Sequence, residues 1–155
     1  MKKLFLVITI LFLFGCSTEE TEVVKETKTC KTQSQGNQIE MLMNAENDVI
    51  QTINIRYLMP EKNIGINASE LSEEEIENAG DSILTQLGVK ESDEGIQVEV
   101  SAKKKDLLIE ISFDLSKADT SVLEVFGVSG NPENVKLSDT VQHAQQSQTL
   151  SFTCQ

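Results

Sequence analysis

Tryptophan is absent from this 155-residue chain, and Tyr57 is its one tyrosine. Any core must therefore be mostly aliphatic. Bases are scarce, with 13 Lys and Arg against 25 Asp and Glu and a formal charge of −12. That balance disfavours nucleic acid as a partner, because affinity for phosphate depends on Lys and Arg. The single histidine, His143, lies in a polar, glutamine-rich stretch. A surface place suits it better than general-base work, and no Ser-His-Asp set assembles around it. Long apolar runs are lacking too. The longest, Leu4 to Phe14, falls short of the roughly 20 residues that cross a bilayer as a helix.

That short run has a different meaning in its setting. Met1-Lys2-Lys3 supplies positive charge, Leu4 to Phe14 is apolar except for Thr9, and Gly15-Cys16 precedes an abruptly polar Ser17-Thr18-Glu19-Glu20. A charged start, a short apolar stretch and a small residue at the cut make a secretory signal. Leu13-Phe14-Gly15-Cys16 resembles the lipobox of bacterial lipoproteins. The resemblance implies a diacylglycerol thioether on Cys16 and cleavage between Gly15 and Cys16. Leu13 and Gly15 match the pattern; Phe14 departs from the small or β-branched residue usual there. Two acyl chains give stable membrane attachment where one is marginal.

The expected organisation is a signal peptide over 1–15, a lipidated cysteine with a flexible tether over 16–28, and one domain over 29–155. The tether reaches at most about 40 Å when extended. Losing Lys2 and Lys3 leaves eleven bases against 25 acids, a charge of −14. Such acidity favours solubility and keeps the domain off anionic lipid, so the lipid must do the holding. The expected address is the outer face of the cell membrane, or the outer membrane in a host with two.

With Cys16 taken by lipid, Cys30 and Cys154 are left. Outside the cytoplasm such a pair oxidises, and a bridge closing so long a loop stabilises by roughly 4–5 kcal/mol in the chain-entropy model. Two free thiols are the alternative. Two thiols and one distant histidine lack the clustered spacing of a zinc site, so no metal and no cofactor is expected.

Period-two alternation marks the strands. A first strand surrounds Cys30. Gln35-Gly36-Asn37 turns into Ile39, Met41 and Met43. Ala45 to Asp48 punctuates before Val49 to Leu58, with Ile53, Ile55 and Tyr57 on one face. These three segments read as a meander that Pro60 ends, with a loop over 61–68. Ser72-Glu73-Glu74-Glu75 is a capping box, and Ile76, Ala79, Ile83, Leu84 and Leu87 follow at helical spacing up to Gly88. Gly80 is out of place inside that helix. The acids of its first turn suit the helix dipole; the spaced oxygen ligands of an EF-hand are missing.

Ile96 to Val100 and Leu107 to Phe113 make a hairpin with Lys103, Lys104 and Lys105 at its exposed tip, which reads as a solvated turn, a small anion-contact site being the alternative. Val122 to Phe126 is a short apolar patch, and Gly127 to Pro132 a loop. Leu137 to Gln146 reads as a weak helix capped by Ser138 or Asp139, with Val141 and Ala144 inward. Leu150, Phe152 and Cys154 alternate as a last strand, placed to pair with the strand of Cys30. The fold class is α+β: an antiparallel sheet of five to six strands, with a main helix over 72–87 and a weaker C-terminal helix on one face.

The order of these pieces resembles the YehR-like family of small bacterial lipoproteins. It rests on the lipobox, the two-strand start, Ile64-Gly65-Ile66-Asn67 leading into Ser72-Glu73-Glu74-Glu75-Ile76, and the stretch from Val98 to Lys117-Ala118-Asp119. It covers most of residues 30–154 and implies an α+β, membrane-attached, extracytoplasmic domain. It supplies no catalytic residue and no disulfide. The expected function is a non-enzymatic binding module for an envelope protein or ligand, including an accessory or immunity-type lipoprotein that blocks another surface protein. The alternative is an envelope hydrolase with paired carboxylates about 5–10 Å apart, one in an apolar wall.

Overall fold

The computed structural model describes residues 23–90, 94–118, 123, 128, 131, 134–148 and 150–155. The described strands are β1 (Lys25–Ser34), β2 (Asn37–Glu46), β3 (Val49–Met59), β4 (Ile96–Lys103), β5 (Asp106–Asp114) and β6 (Thr153–Cys154). The helices are α1 (Glu61–Ile64), α2 (Glu73–Leu87) and α3 (Leu137–Gln146), with a 3₁₀ turn at Ala68–Glu70. The six strands form one sheet in the order β4-β5-β3-β2-β1-β6, antiparallel throughout. The class is α+β. No helix among the described residues is long and apolar enough to cross a membrane.

Alternation divides the sheet into two faces. Met41, Met43, Ile53, Ile55, Ile109, Ile111 and Phe113 are buried on one. Among the described residues this core is aliphatic apart from its methionines, the Cys30–Cys154 disulfide, Phe113, Phe152 and the half-buried Tyr57. Tight turns fix the register. Gln35-Gly36 and Asn47-Asp48 take positive φ at both positions, as two-residue hairpins of matching twist require.

The α2 helix begins as its sequence dictates. Ser72 Oγ accepts from the Glu75 amide at 3.3 Å, and the Ser72 amide donates to Glu75 Oε2 at 2.8 Å. The Ser72 amide and the Ser72 hydroxyl both donate to Glu75 Oε2 and hold its carboxyl below its ordinary pKa. Gly88, at φ 72°, ends the helix in the left-handed conformation. The helix-interior Gly80 has a packing reason: a Cβ there would run into the Val100 methyls on β4. Glycine lets the helix lie close on the sheet.

Several expectations shift. The first strand starts at Lys25, earlier than the expected domain start at 29, because Lys25 to Lys28 pair with Met43 to Glu46. Their side chains are polar and exposed, so the strand has no apolar signature there. A single helical turn, α1, replaces part of the loop over 61–68. The lysine hairpin runs further than expected, since Lys103 and Asp106 still pair across it. The final strand is shorter: the Phe152 amide bonds to the Ala144 carbonyl of α3, leaving Thr153–Cys154 for the sheet. The apolar patch over 122–126 and the loop over 127–132 lie largely outside the described residues; Leu123 and Val128 are buried.

Neither Ser138 nor Asp139 caps α3. Its N-cap is Lys136, with no side-chain cap of its own. Asp48, from the β2–β3 turn, does the work. Its Oδ1 accepts from the Ser138 amide at 2.9 Å, its Oδ2 from Ser138 Oγ at 2.8 Å, and its carbonyl from the Leu137 amide. An acceptor 90 residues away satisfies the orphan amides that a local residue usually serves. The inward face of α3 is Leu137, Thr140 and Ala144, with Val141 half-buried.

Two measurements check these contacts. Gly80→Ala is expected to destabilise by about 1–3 kcal/mol in urea unfolding, since overpacking outweighs the better helix propensity. In a Val100→Ala background that cost should fall towards zero; an equal cost in both would disprove the contact. Backbone and side-chain hydrogen bonds from Ser138 lower the Asp48 pKa below its ordinary 3.8. A depressed folded value stabilises above the unfolded pKa and is lost as pH falls through the folded one. The stability advantage of the native chain over Asp48→Asn should thus be full above pH about 4 and shrink below it, read by thermal melts across pH.

Candidate functional site

The outward face of the sheet is assembled by register alone. Lys31 pairs with Glu40, Glu40 with Arg56, Arg56 with Glu110, and Glu110 with Glu99. Alternation puts these five side chains in one row across β1, β2, β3, β5 and β4, on the face opposite the core. Lys31 Nζ lies 3.1 Å from Glu40 Oε1, and Arg56 Nη1 lies 3.8 Å from Glu40 Oε2. Arg56 Nε donates to Glu110 Oε1 at 2.7 Å. Exposed pairs like these contribute about 0.2–1 kcal/mol each. The Glu99–Glu110 pair sets like charges side by side, which is unfavourable.

Neighbouring rows are polar. Thr27 Oγ1 donates to Asn44 Oδ1 at 2.9 Å and Asn44 Nδ2 to Thr52 Oγ1 at 3.0 Å. Ser112 Oγ donates to Asn54 Oδ1 at 2.7 Å. On the other side of the charged row, Leu58 and Leu108 sit opposite each other. There a depression of about 430 Å³ opens, with Lys31, Arg56, Lys103 and Glu40 around those leucines. The volume is within the range of ligand sites. Three cations and one acid meet here on a molecule of charge −12. Lys103 takes part in none of the described ion pairs.

Beneath the row, on the core side, Cys30 and Cys154 are bonded, with Cα atoms 4.0 Å apart. Thr29 and Gln155 exchange both backbone hydrogen bonds, so the adjacent Cys30–Cys154 pair is of the non-hydrogen-bonded kind, where Cα atoms come closest. The bridge spans 124 positions. Cys16 and Gly15 lie outside the described residues. His143 is exposed on α3. Among the described residues no three His, Cys, Asp or Glu side chains are placed to hold a metal.

Among the described residues, the carboxylates displaced from their ordinary pKa are displaced downward. Besides Asp48 and Glu75, Asp114 is lowered by the Ser116 hydroxyl and amide and by Lys117, 3.3 Å away.

The charged row escaped the sequence reading because its members are scattered over five strands. Each is an ordinary polar residue in an alternating pattern, and the pairing register alone brings them together. Cys30 and Cys154 were legible because a chain with so few cysteines offers few possible pairings, and the structure bonds this one.

Among solved structures the chain is similar to the E. coli YehR protein, determined by NMR. The TM-score is 0.60 at 12% identity, covering 85% of this chain and 93% of that one. A protein from Streptococcus pneumoniae TIGR4, also determined by NMR, aligns with a TM-score of 0.46 at 14% identity, covering 99% and 94%. No protein-family model and no curated protein matches the chain. At such low identity the YehR likeness shows a shared fold and nothing finer.

The charged row has a direct test. Arg56→Ala leaves Glu40, Glu110 and Glu99 together without their central cation. Urea unfolding should show a loss of about 0.5–1 kcal/mol at low salt. The loss should shrink in about 1 M salt, where the screening length is near 3 Å. A salt-independent loss would assign the effect to the arginine's aliphatic stem instead.

Proposed function

We propose that the chain is a lipid-anchored, extracytoplasmic binding module whose outward sheet face receives an anionic group with an apolar portion. The depression over Leu58 and Leu108, rimmed by Lys31, Arg56 and Lys103, carries this reading. It gathers positive charge and apolar floor on an otherwise acidic molecule, the combination that orients and holds such a ligand. The anchor is supported by the leader and the Leu13-Phe14-Gly15-Cys16 sequence. The Cys30–Cys154 bridge is consistent with an oxidising compartment. In this reading the signal covers 1–15 and residues 16–24 join lipid to sheet, placing the module in the family that YehR typifies.

Two experiments in the native host test the two halves. Growth with labelled palmitate should label the chain in the membrane fraction, and Cys16→Ser should abolish the label. An unlabelled, soluble native chain would overturn the anchor. A photo-crosslinking residue at Gln33, on the outward face, should capture a partner or ligand, and one at His143, on α3, should not. Capture from His143 alone would move the binding site to the helical side.

A further inference from the structure

The sheet has an edge that nothing described covers. β4 pairs with β5 on one side and ends the strand order on the other. The Asp114 amide donates to the Gly95 carbonyl, which fixes the phase of the ladder. Counting in steps of two, Gln97, Glu99 and Ser101 turn their backbone groups to β5. Val98 and Val100 therefore direct their N–H and C=O groups outward, to the open edge. Natural proteins protect such edges, because they template another strand.

Beside this edge lies α2, held close by the Gly80–Val100 contact. Between helix and strand runs a groove of about 450 Å³, with Ile76, Leu84, Val98 and Val100 as its apolar floor. Its charged lining is of one sign. Glu73, Glu77 and Asp81 follow each other at four-residue steps along one face of α2, and Glu99 stands on β4. No Lys or Arg lines it.

We propose that this groove takes an extended, basic polypeptide segment as a seventh strand on β4. The outward groups of Val98 and Val100 supply the backbone hydrogen bonds, as in strand addition generally. On the helix side the added strand places Lys or Arg stems along the apolar floor and their charges at Glu73, Glu77 and Asp81, since long basic side chains bury stem and expose head. On the other side it meets Glu99. The same charges exclude two nearer occupants. A second copy would bring Glu99 against an equally acidic edge. The chain's own segment 17–24 brings Glu19, Glu20 and Glu22 and no base. This surface is separate from the depression on the outward face and stands without it.

The probe is a fluorescent peptide of about eight alternating Lys and Val residues, the length of a typical edge strand. It is titrated with the full-length chain in nonionic detergent, and its footprint is read by amide NMR shifts. Shifts should centre on β4 and α2. A block peptide with the same residues unalternated should bind more weakly. Val98→Pro removes an outward N–H without touching the β5 ladder, a place where edge strands accept proline. It should weaken binding about tenfold, the effect of one lost hydrogen bond. Glu77→Lys with Asp81→Lys should weaken it at least as much, and keeps the test open if the proline variant does not fold. Equal binding of the block peptide, unchanged affinity in the double lysine variant, or a footprint on the outward face would each overturn the proposal.

Discussion

Six antiparallel strands have two faces, and this chain has apolar side chains enough for one. Burying Met41, Ile53, Ile55, Ile109, Ile111 and Phe113 under α2 and α3 is the constraint from which the rest follows. It sets the strand register, because a one-residue slip would turn every one of these side chains to water. Once the register is set, the outward face is determined as well. The row from Lys31 to Glu99 exists because the buried row beside it exists. The candidate site is in this sense a by-product of core packing.

The helices are positioned by contacts made far away in sequence. α2 is seated by the absence of a side chain at Gly80, which brings it against Val100. α3 is started by Asp48, a residue of the β2–β3 turn. The Asp48 turn also bonds, through Asn47, to the backbone of Val24. One two-residue turn thus ties together the start of the sheet, the meander and the C-terminal helix. A hairpin tip is usually where a domain tolerates change best; here it is a junction.

Much of the fold was legible because local and tertiary signals agree. The Ser72 capping box, the Gly88 stop and the alternation of β2, β3 and β5 each has a local cause, so each could be read from neighbouring residues. What escaped has causes that are not local. Nothing near Leu137 announces that its amide will be served by Asp48. Nothing in Lys25-Glu26-Thr27-Lys28 marks a strand, since its pairing to β2 is through backbone groups common to every residue. Gly80 was visible as an anomaly, and its explanation lay on a strand 20 positions on. The site followed the same rule: the cysteine pair was readable one residue at a time, whereas the charged row needed the registers of four strand pairs.

The bridge between β1 and β6 has a mechanical consequence. Tension on the chain entering at Lys25 loads β1 from its free end, where backbone pairs open one after another like a zip. That opening runs from Lys25 through Thr29 and meets Cys30. There the load is shared with a covalent link, which carries part of it through Cys154 to the segment that Phe152 clips to α3. Opening beyond Cys30 therefore has to disturb β6 and its tie to α3 along with β1.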